Sequence, residues 1–197
     1  MSTSPKALAG TRRLPGDLAM WLFILAELSV FAILILVFAV AQRLDAEGFR
    51  AGRAALDLSL GLALTLSLLT AGFLAAAAVE LVRRGYQRRA GFLLLAALAL
   101  GLLHVWLKAG EYLHLAQRGL DLEHSTFFTL FWLVTGFHFL HVWLGLVILG
   151  WMALRCLRGA YAQGALGGLE SGALYWHMVD LVWVMLFPLV YVLAPLP

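Results

Sequence analysis

The sequence has little charge and almost no cysteine. Only 13% of its 197 residues are charged and 63% are hydrophobic, whereas soluble domains carry about 25% charged residues. Its single cysteine, Cys156, excludes an intrachain disulfide. No Cys or His cluster has zinc spacing, no glycine-rich loop matches a phosphate cradle, and no serine nucleophile elbow occurs. These absences argue against a soluble domain and against a self-contained enzyme.

Long apolar runs dominate what is present. They recur at about 20 residues each, the length that an α-helix needs to cross a bilayer. The runs do not alternate between polar and apolar residues, so helices are predicted and not barrel strands. The chain is therefore predicted to be a single all-α integral membrane domain over residues 1–197, a bundle of five transmembrane helices. Their predicted bounds are 18–41, 55–79, 90–113, 126–154 and 174–193.

The basic residues between the runs predict the orientation. Cytoplasmic loops of membrane proteins are enriched in Lys and Arg, and one set of loops holds nine such residues against four in the other. The N-terminus is therefore predicted to be cytoplasmic and the C-terminus periplasmic, in a multi-pass protein of a bacterial inner membrane. The nine are Lys6, Arg12, Arg13, Arg83, Arg84, Arg88, Arg89, Arg155 and Arg158; the four are Arg43, Arg50, Arg53 and Arg118.

The basic segment before the first run resembles the start of a signal peptide. The run 18–41 is longer than the roughly 7–15 apolar residues of a signal core, and it contains Glu27. It is therefore expected to be retained as the first transmembrane helix. The net charge of +3 is distributed over several loops and forms no basic face, which argues against nucleic-acid binding.

Glu27 lies near the middle of the first predicted helix. An ionisable side chain in hydrocarbon costs several kcal/mol unless it is paired or faces a polar cavity. The Glu27 carboxyl group is therefore expected to be protonated or hydrogen-bonded to another helix. A functional role is the default hypothesis for an acid at this depth.

Three ionisable residues share one stripe of the third predicted helix. His104, Lys108 and Glu111 follow i, i+4, i+7 spacing, so they can interact with one another. With the predicted orientation, Lys108 and Glu111 lie toward the external end, where they are expected to snorkel to the interface. An ion pair that anchors the helix end and a proton or lipid site both remain open.

The fourth and fifth predicted helices each carry a polar pair at i, i+3 spacing. His138 and His141 could ligate a metal or, with partners on another helix, a haem. Two histidines on one helix cannot hold a haem from both faces, so ligation is disfavoured. His177 and Asp180 share a face, and the carboxylate can accept a hydrogen bond from the imidazole. A structural pair is favoured there over a polar relay.

These motifs together resemble subunit III of the haem-copper oxidases, the third subunits of cytochrome c oxidases and quinol oxidases. Long members of that family have seven helices, and this chain resembles a five-helix short form. The opening segment 15–21 and the Lys108–Glu111 spacing most resemble the subunit III-like proteins associated with nitric oxide reductases. The resemblance is carried by blocks in family order: 20–27, 125–128, 135–138 with 141–142, 170–177 with 179–180 and Trp183, and more weakly 111–112.

The resemblance implies an accessory subunit without a redox centre of its own. The haems and copper would reside in the catalytic subunit I, which is the expected partner. The resemblance is also compatible with contact with subunit II and with a bound phospholipid. Subunit III is thought to support proton uptake by subunit I and to protect its active site during turnover. Glu27 matches the buried carboxylate of the family; the other matched polar positions are His138, His141, Glu170, His177 and Asp180.

Two other classes of protein remain open from the sequence. One is a small b-type membrane cytochrome with axial ligands among the intramembrane histidines. The other is a small proton channel or transporter built around Glu27, which ranks last because the runs show no inverted repeat and no pair of broken helices. The candidate haem ligands are His104, His138, His141 and His177.

Overall fold

The computed structural model describes residues 18–161 and 166–193, and these residues form helices joined by short turns without any strand. The helix α6 continues directly into a π-helical turn. The bounds are α1 Leu18–Leu44, α2 Ala46–Ala54, α3 Leu58–Arg83, α4 Gln87–Gln117, α5 Thr126–Leu157 and α6 Gly167–Phe187, with the π turn at Pro188–Val192.

The five long helices confirm the prediction of an all-α protein with five membrane spans. Each is long and apolar enough to cross a membrane. The short helix α2 was not predicted, because its nine residues of mixed polarity do not form a long apolar run. The last helix begins at Gly167 instead of 174, since the polar, glycine-containing segment 167–173 is helical ahead of the apolar run.

The helix ends follow from local sequence. The Asp57 carboxylate accepts hydrogen bonds from the backbone N–H groups of Ser59 and Leu60 at the start of α3. Bonds from the Ser59 hydroxyl and these amides hold the pKa of Asp57 below its usual value. After α3, Gly85 adopts a φ of 86°, and the N–H of Tyr86 returns to the Leu81 carbonyl at 2.8 Å. This left-handed glycine closes the helix.

Helix α6 lies at the centre of the bundle and α1 at its edge. In the most apolar 18-residue window of each span, 61% of the residues are buried in the α6 span and only 17% in α1. Helices α3 and α5 pack against α6 and are bridged by α4, while α1 contacts α5 and α6. The buried titratable side chains of α4, α5 and α6 are His104, Lys108, Glu111, His138 and Asp180.

One end of the bundle, here called the α2 end, contains two connections. Helix α2 joins α1 to α3 there, and a turn joins α4 to α5. Phe49 of α2 is fully buried there, with its ring centroid 5.1 Å from that of Phe38 and 5.4 Å from that of Phe127. The opposite end, called the α3–α4 end, contains the turns that join α3 to α4 and α5 to α6.

Candidate functional site

A buried network of three titratable side chains joins α4 to the end of α6. The Lys108 Nζ atom lies 2.6 Å from Glu111 Oε2, and the side chains are 1% and 5% exposed. Lys108 also donates to the Tyr191 hydroxyl at 3.1 Å. Tyr191 in turn donates to the Glu111 carboxylate, 2.8 Å from Oε1 and 2.9 Å from Oε2. Each charge thus has a partner of opposite sign, as burial requires.

Aromatic rings surround the Lys108 ammonium group. The nitrogen lies within about 6 Å of each ring centroid, the range of cation–π attraction. This enclosure adds favourable electrostatics on the sides that Glu111 does not cover. The distances are 4.7 Å to Phe131, 5.0 Å to Tyr112, 5.4 Å to Trp183 and 5.6 Å to Tyr191.

The expected snorkelling of Lys108 and Glu111 is therefore wrong. Lys108 points into the bundle because Tyr191, on the π turn of α6, supplies an internal hydrogen-bonding partner. Glu111 also lines a cavity of about 760 Å³ at the α2 end, between the start of α3 and the end of α4, together with Asp57, His114 and Arg118. The pair is a buried network next to this cavity and does not anchor the helix end at the interface.

His104 does not join the Lys108 network, although the two residues share a helix stripe. Its Nδ1 atom lies 3.0 Å from the Leu64 carbonyl of α3. Its ring packs edge-on against Trp183, with centroids 5.3 Å apart, and lies 6.2 Å from the ring of His138. The other ring nitrogen, Nε2, is buried without a partner among the described residues.

His138 and His141 point toward different neighbours. The Nε2 atom of His138 lies 3.2 Å from the Val179 carbonyl of α6, and the ring is stacked at a tilt on Trp183 at 5.0 Å. His141 faces α1 instead, where its Nε2 atom lies 3.0 Å from Glu27 Oε2. The two imidazoles therefore belong to separate contacts between helices.

Glu27 and His141 form a polar contact between α1 and α5 within the membrane-spanning segments. The Glu27 side chain is 21% exposed and that of His141 is 11% exposed. The Nδ1 atom of His141 lies 2.8 Å from the Phe137 carbonyl, an acceptor only, so Nδ1 carries a hydrogen. The Nε2–Oε2 contact at 3.0 Å then needs one more hydrogen, held by either residue. The pair therefore shares one hydrogen between two helices.

The last helix carries two further polar contacts. His177 Nδ1 lies 3.5 Å from Asp180 Oδ2, which agrees with the shared face predicted from their spacing. Nearer the α3–α4 end, Arg83 of α3 donates to Glu170 of α6 at 2.8 Å. Both contacts lie along the line where α3 and α6 meet.

The four candidate histidines have separate contacts. His104 and His138 each contact a backbone carbonyl, and His141 contacts Glu27. Within residues 18–161 and 166–193, no three His, Cys, Asp or Glu side chains are grouped as a metal site. Three of the four therefore contact another helix, and His177 contacts Asp180 within α6.

Several side chains of these networks carry no distinctive sequence signal. Arg53 donates from Nε to the Val190 carbonyl at 3.0 Å and from Nη2 to the Leu189 carbonyl and Gln42 Oε1, both at 3.2 Å. Burial lowers the pKa of the Arg53 guanidinium group. A basic residue in a loop predicts orientation, but its contact with carbonyls at the end of α6 depends on tertiary packing. Tyr191 also gives no signal for its buried contacts. A tyrosine near the end of a span is typical of an anchor at the membrane interface.

Fold and site together define a polytopic helical membrane protein whose intramembrane titratable groups are paired within and between helices. Residues 14–194 match the family model of cytochrome c oxidase subunit III. The chain is 30% identical over 182 residues to a protein named "Probable quinol oxidase subunit 3" from Staphylococcus aureus (strain USA300), covering 91% of this chain and 89% of that protein. A protein of the same name from Staphylococcus epidermidis (strain RP62A) is 29% identical over 180 residues, with the same coverage.

The chain therefore belongs to the cytochrome c oxidase subunit III family of the haem-copper oxidases. This confirms the resemblance seen in the motifs around Glu27, His138 and Asp180. Family membership and the five apolar helices make the chain an integral membrane protein. Membership also supports a place as an accessory subunit within an oxidase complex.

Proposed function

We propose that this chain is the accessory subunit III of a respiratory haem-copper oxidase or reductase in a bacterial plasma membrane, with its N-terminus in the cytoplasm. It contacts the catalytic subunit I, stabilises it, and supports its proton supply. Electron transfer and reduction of the terminal acceptor occur in the partner, which holds the haems and copper. The family match and the quinol oxidase relatives support this assignment.

The observation that carries the proton-supply part is the Glu27–His141 pair. The pair contains one proton in the Nε2–Oε2 contact, as a neutral acid beside a neutral imidazole or as an ion pair. Partial exposure of Glu27 leaves one side of the carboxyl group open to whatever covers α1. Release of this proton to a neighbouring subunit leaves the pair with one negative charge, and a proton taken up from another donor restores its neutrality.

Co-purification from native membranes tests the accessory role. A tagged version of this chain is expected to bring down a haem-containing catalytic subunit, and its deletion is expected to lower the amount of that subunit or shorten its active life. Recovery of this chain only as a free monomer, with normal oxidase turnover and durability after its deletion, would contradict the proposal.

The alternative functions have separate tests. A b-type cytochrome would show a Soret band in the isolated chain that disappears after His138→Ala or His141→Ala, whereas the proposal expects a colourless preparation. A channel would conduct protons in liposomes that contain this chain alone. Turnover of the native complex with oxygen and with nitric oxide distinguishes an oxidase from a nitric oxide reductase.

A further inference from the structure

A cavity of about 560 Å³ lies at the α3–α4 end of the bundle, between the start of α4 and the end of α5. We call it the α4/α5 cavity. The two helices are in direct contact here, since an added Cβ at Gly91 of α4 would lie 2.7 Å from Leu157 Cδ2 of α5. The cavity is lined by Gly85, Tyr86, Gln87, Arg88, Arg89, Cys156, Leu157, Arg158 and Gly159.

Three arginines of the cavity carry charges that no acid neutralises. Arg88 and Arg89 belong to the first turn of α4, and Arg158 directly follows the last residue of α5. All three are exposed. In the described part of the chain, the ion pairs within 4.0 Å include none of them. The cavity therefore combines three positive charges without a carboxylate partner.

The described acids at this end are already paired with other arginines. Glu80 contacts Arg83 and, at 2.8 Å, Arg84. Glu170 accepts from Arg83 at 2.8 Å. Helix α4 adds to the excess of positive charge, because its first turn contains no acid and the preceding Tyr86 makes no side-chain hydrogen bond to the helix end. An anion in the cavity would thus meet both the guanidinium groups and the positive end of the α4 dipole.

Exposed apolar side chains continue from the cavity along both helices. Phe92 lies four residues after Arg88, and Leu154 and Trp151 lie four and seven residues before Arg158, so each shares a helix face with its arginine. Phe92 and Trp151 are both 63% exposed, and Leu154 is 50% exposed. Because α4 begins and α5 ends at the cavity, these apolar residues lie on its membrane side.

The occupant of the cavity must match both parts of this surface. A phosphate group accepts charge-assisted hydrogen bonds from arginine, whose planar fork fits its oxygens. A free phosphate ion would leave Phe92 and Trp151 uncovered, and an acidic protein loop would place polar backbone groups against them. A phospholipid meets both demands, with a phosphate at the arginines and acyl chains on the apolar residues. Basic pockets between transmembrane helices bind anionic headgroups in this way.

We infer that the α4/α5 cavity binds the headgroup of an anionic phospholipid, and that Arg88, Arg89 and Arg158 hold its phosphate. A zwitterionic phospholipid fits less well, because its own ammonium group offsets the phosphate charge and would face the arginines. The inference goes beyond the proposed function and requires only that the chain spans a membrane. Its failure would leave the accessory role intact, and loss of the accessory role would leave this site intact.

Lipid titration of the full chain in detergent, followed by native mass spectrometry, tests the inference. Phosphatidylglycerol is expected to bind about tenfold more tightly, or by 1.4 kcal/mol, than phosphatidylcholine with the same acyl chains. The double variant Arg88→Gln with Arg158→Gln is expected to lose this preference. Equal affinity of the natural chain for the two lipids would overturn the inference.

Arg43→Gln with Arg50→Gln is the matched control. It removes the same charge from two exposed arginines at the α2 end and is expected to retain the preference for phosphatidylglycerol. An equal loss in both double variants would show a response to overall charge, without a site at the cavity, and would overturn the inference.

Two further measurements distinguish the lipid from other anions. A large excess of inorganic phosphate is expected to leave phosphatidylglycerol bound; full displacement would make the cavity a free-anion site and overturn the lipid assignment. A photoreactive amino acid at Leu154, with every arginine in place, is expected to crosslink to lipid in native membranes. Crosslinks from Leu154 to protein alone would show that a polypeptide covers this surface and would also overturn the inference.

Discussion

Tyr191 and Glu111 are joined across the α4/α6 interface, with the Tyr191 hydroxyl 2.8 Å from Glu111 Oε1. Tyr191 reaches Glu111 from the π turn that begins at Pro188. The Leu193 N–H donates to the Pro188 carbonyl at 2.7 Å, an i, i+5 hydrogen bond that closes the π turn. A single tyrosine thus connects the end of the central helix to a buried ion pair.

Lys108→Met is expected to destabilise the isolated chain by about 3–5 kcal/mol, because it leaves the Glu111 carboxylate buried without its cation. The double variant Lys108→Met with Glu111→Leu is expected to recover most of this loss, since neither charge then remains buried. Unfolding of the detergent-solubilised chain, followed by tryptophan fluorescence, measures both changes.

Arg84→Met is the matched control for that experiment. Arg84 pairs with Glu80 at 2.8 Å, but its side chain is 66% exposed, and exposed pairs contribute about 0–1 kcal/mol. A loss at Lys108 no larger than that at Arg84 would show that the buried network does not contribute to stability.

Arg53→Met is expected to destabilise the α2 end by about 1.5–3 kcal/mol, the range for hydrogen bonds to a charged group. The guanidinium group bonds the Leu189 and Val190 carbonyls, which lie near the negative end of the central helix. Arg50→Met on the same short helix is the control, because Arg50 is exposed. Thermal midpoints of the two variants should differ; equal midpoints would exclude a capping role for Arg53.

The sequence was sufficient to predict the five long helices, because a bilayer span leaves a run of about 20 apolar residues. It was also sufficient for pairs within one helix, such as His177 with Asp180 and Lys108 with Glu111, whose spacing places them side by side. The partners from other helices could not be predicted, since Glu27 meets His141 only after α1 packs on α5. Snorkelling of Lys108 was expected for the same reason: the inward partner Tyr191 lies 83 residues away.

Gly145→Ala is expected to destabilise the chain by about 1–3 kcal/mol through overpacking. An added Cβ at Gly145 would lie 2.8 Å from Cε3 and 2.9 Å from Cζ3 of the buried Trp176 ring. Gly136→Ala, on the same helix, is the control because nothing lies within 4 Å of its Cβ position. That variant is expected to be neutral or to gain about 0.5–1 kcal/mol of helix stability. The reverse order of midpoints would rule out close α5/α6 packing at Gly145.

Asp57→Asn tests the acid dependence of the α3 cap. Because the folded-state pKa of Asp57 lies below its ordinary value of 3.8, its contribution is present above that value and is lost as the pH falls through the folded pKa. The natural chain is expected to have the higher thermal midpoint at neutral pH, and the difference should shrink as the pH falls below 3.8. A difference that stays constant with pH would contradict capping by the ionised carboxylate.

The proton held between Glu27 and His141 is the centre of the account, and Glu27→Gln in the native complex tests it most directly. Glutamine keeps the shape but does not release a proton at physiological pH. The variant is expected to assemble normally while the complex turns over more slowly or loses activity sooner, and Glu47→Gln, an exposed acid of α2, should match the natural protein. Unchanged sustained turnover with Glu27→Gln, or a loss explained entirely by failed assembly, would contradict the account.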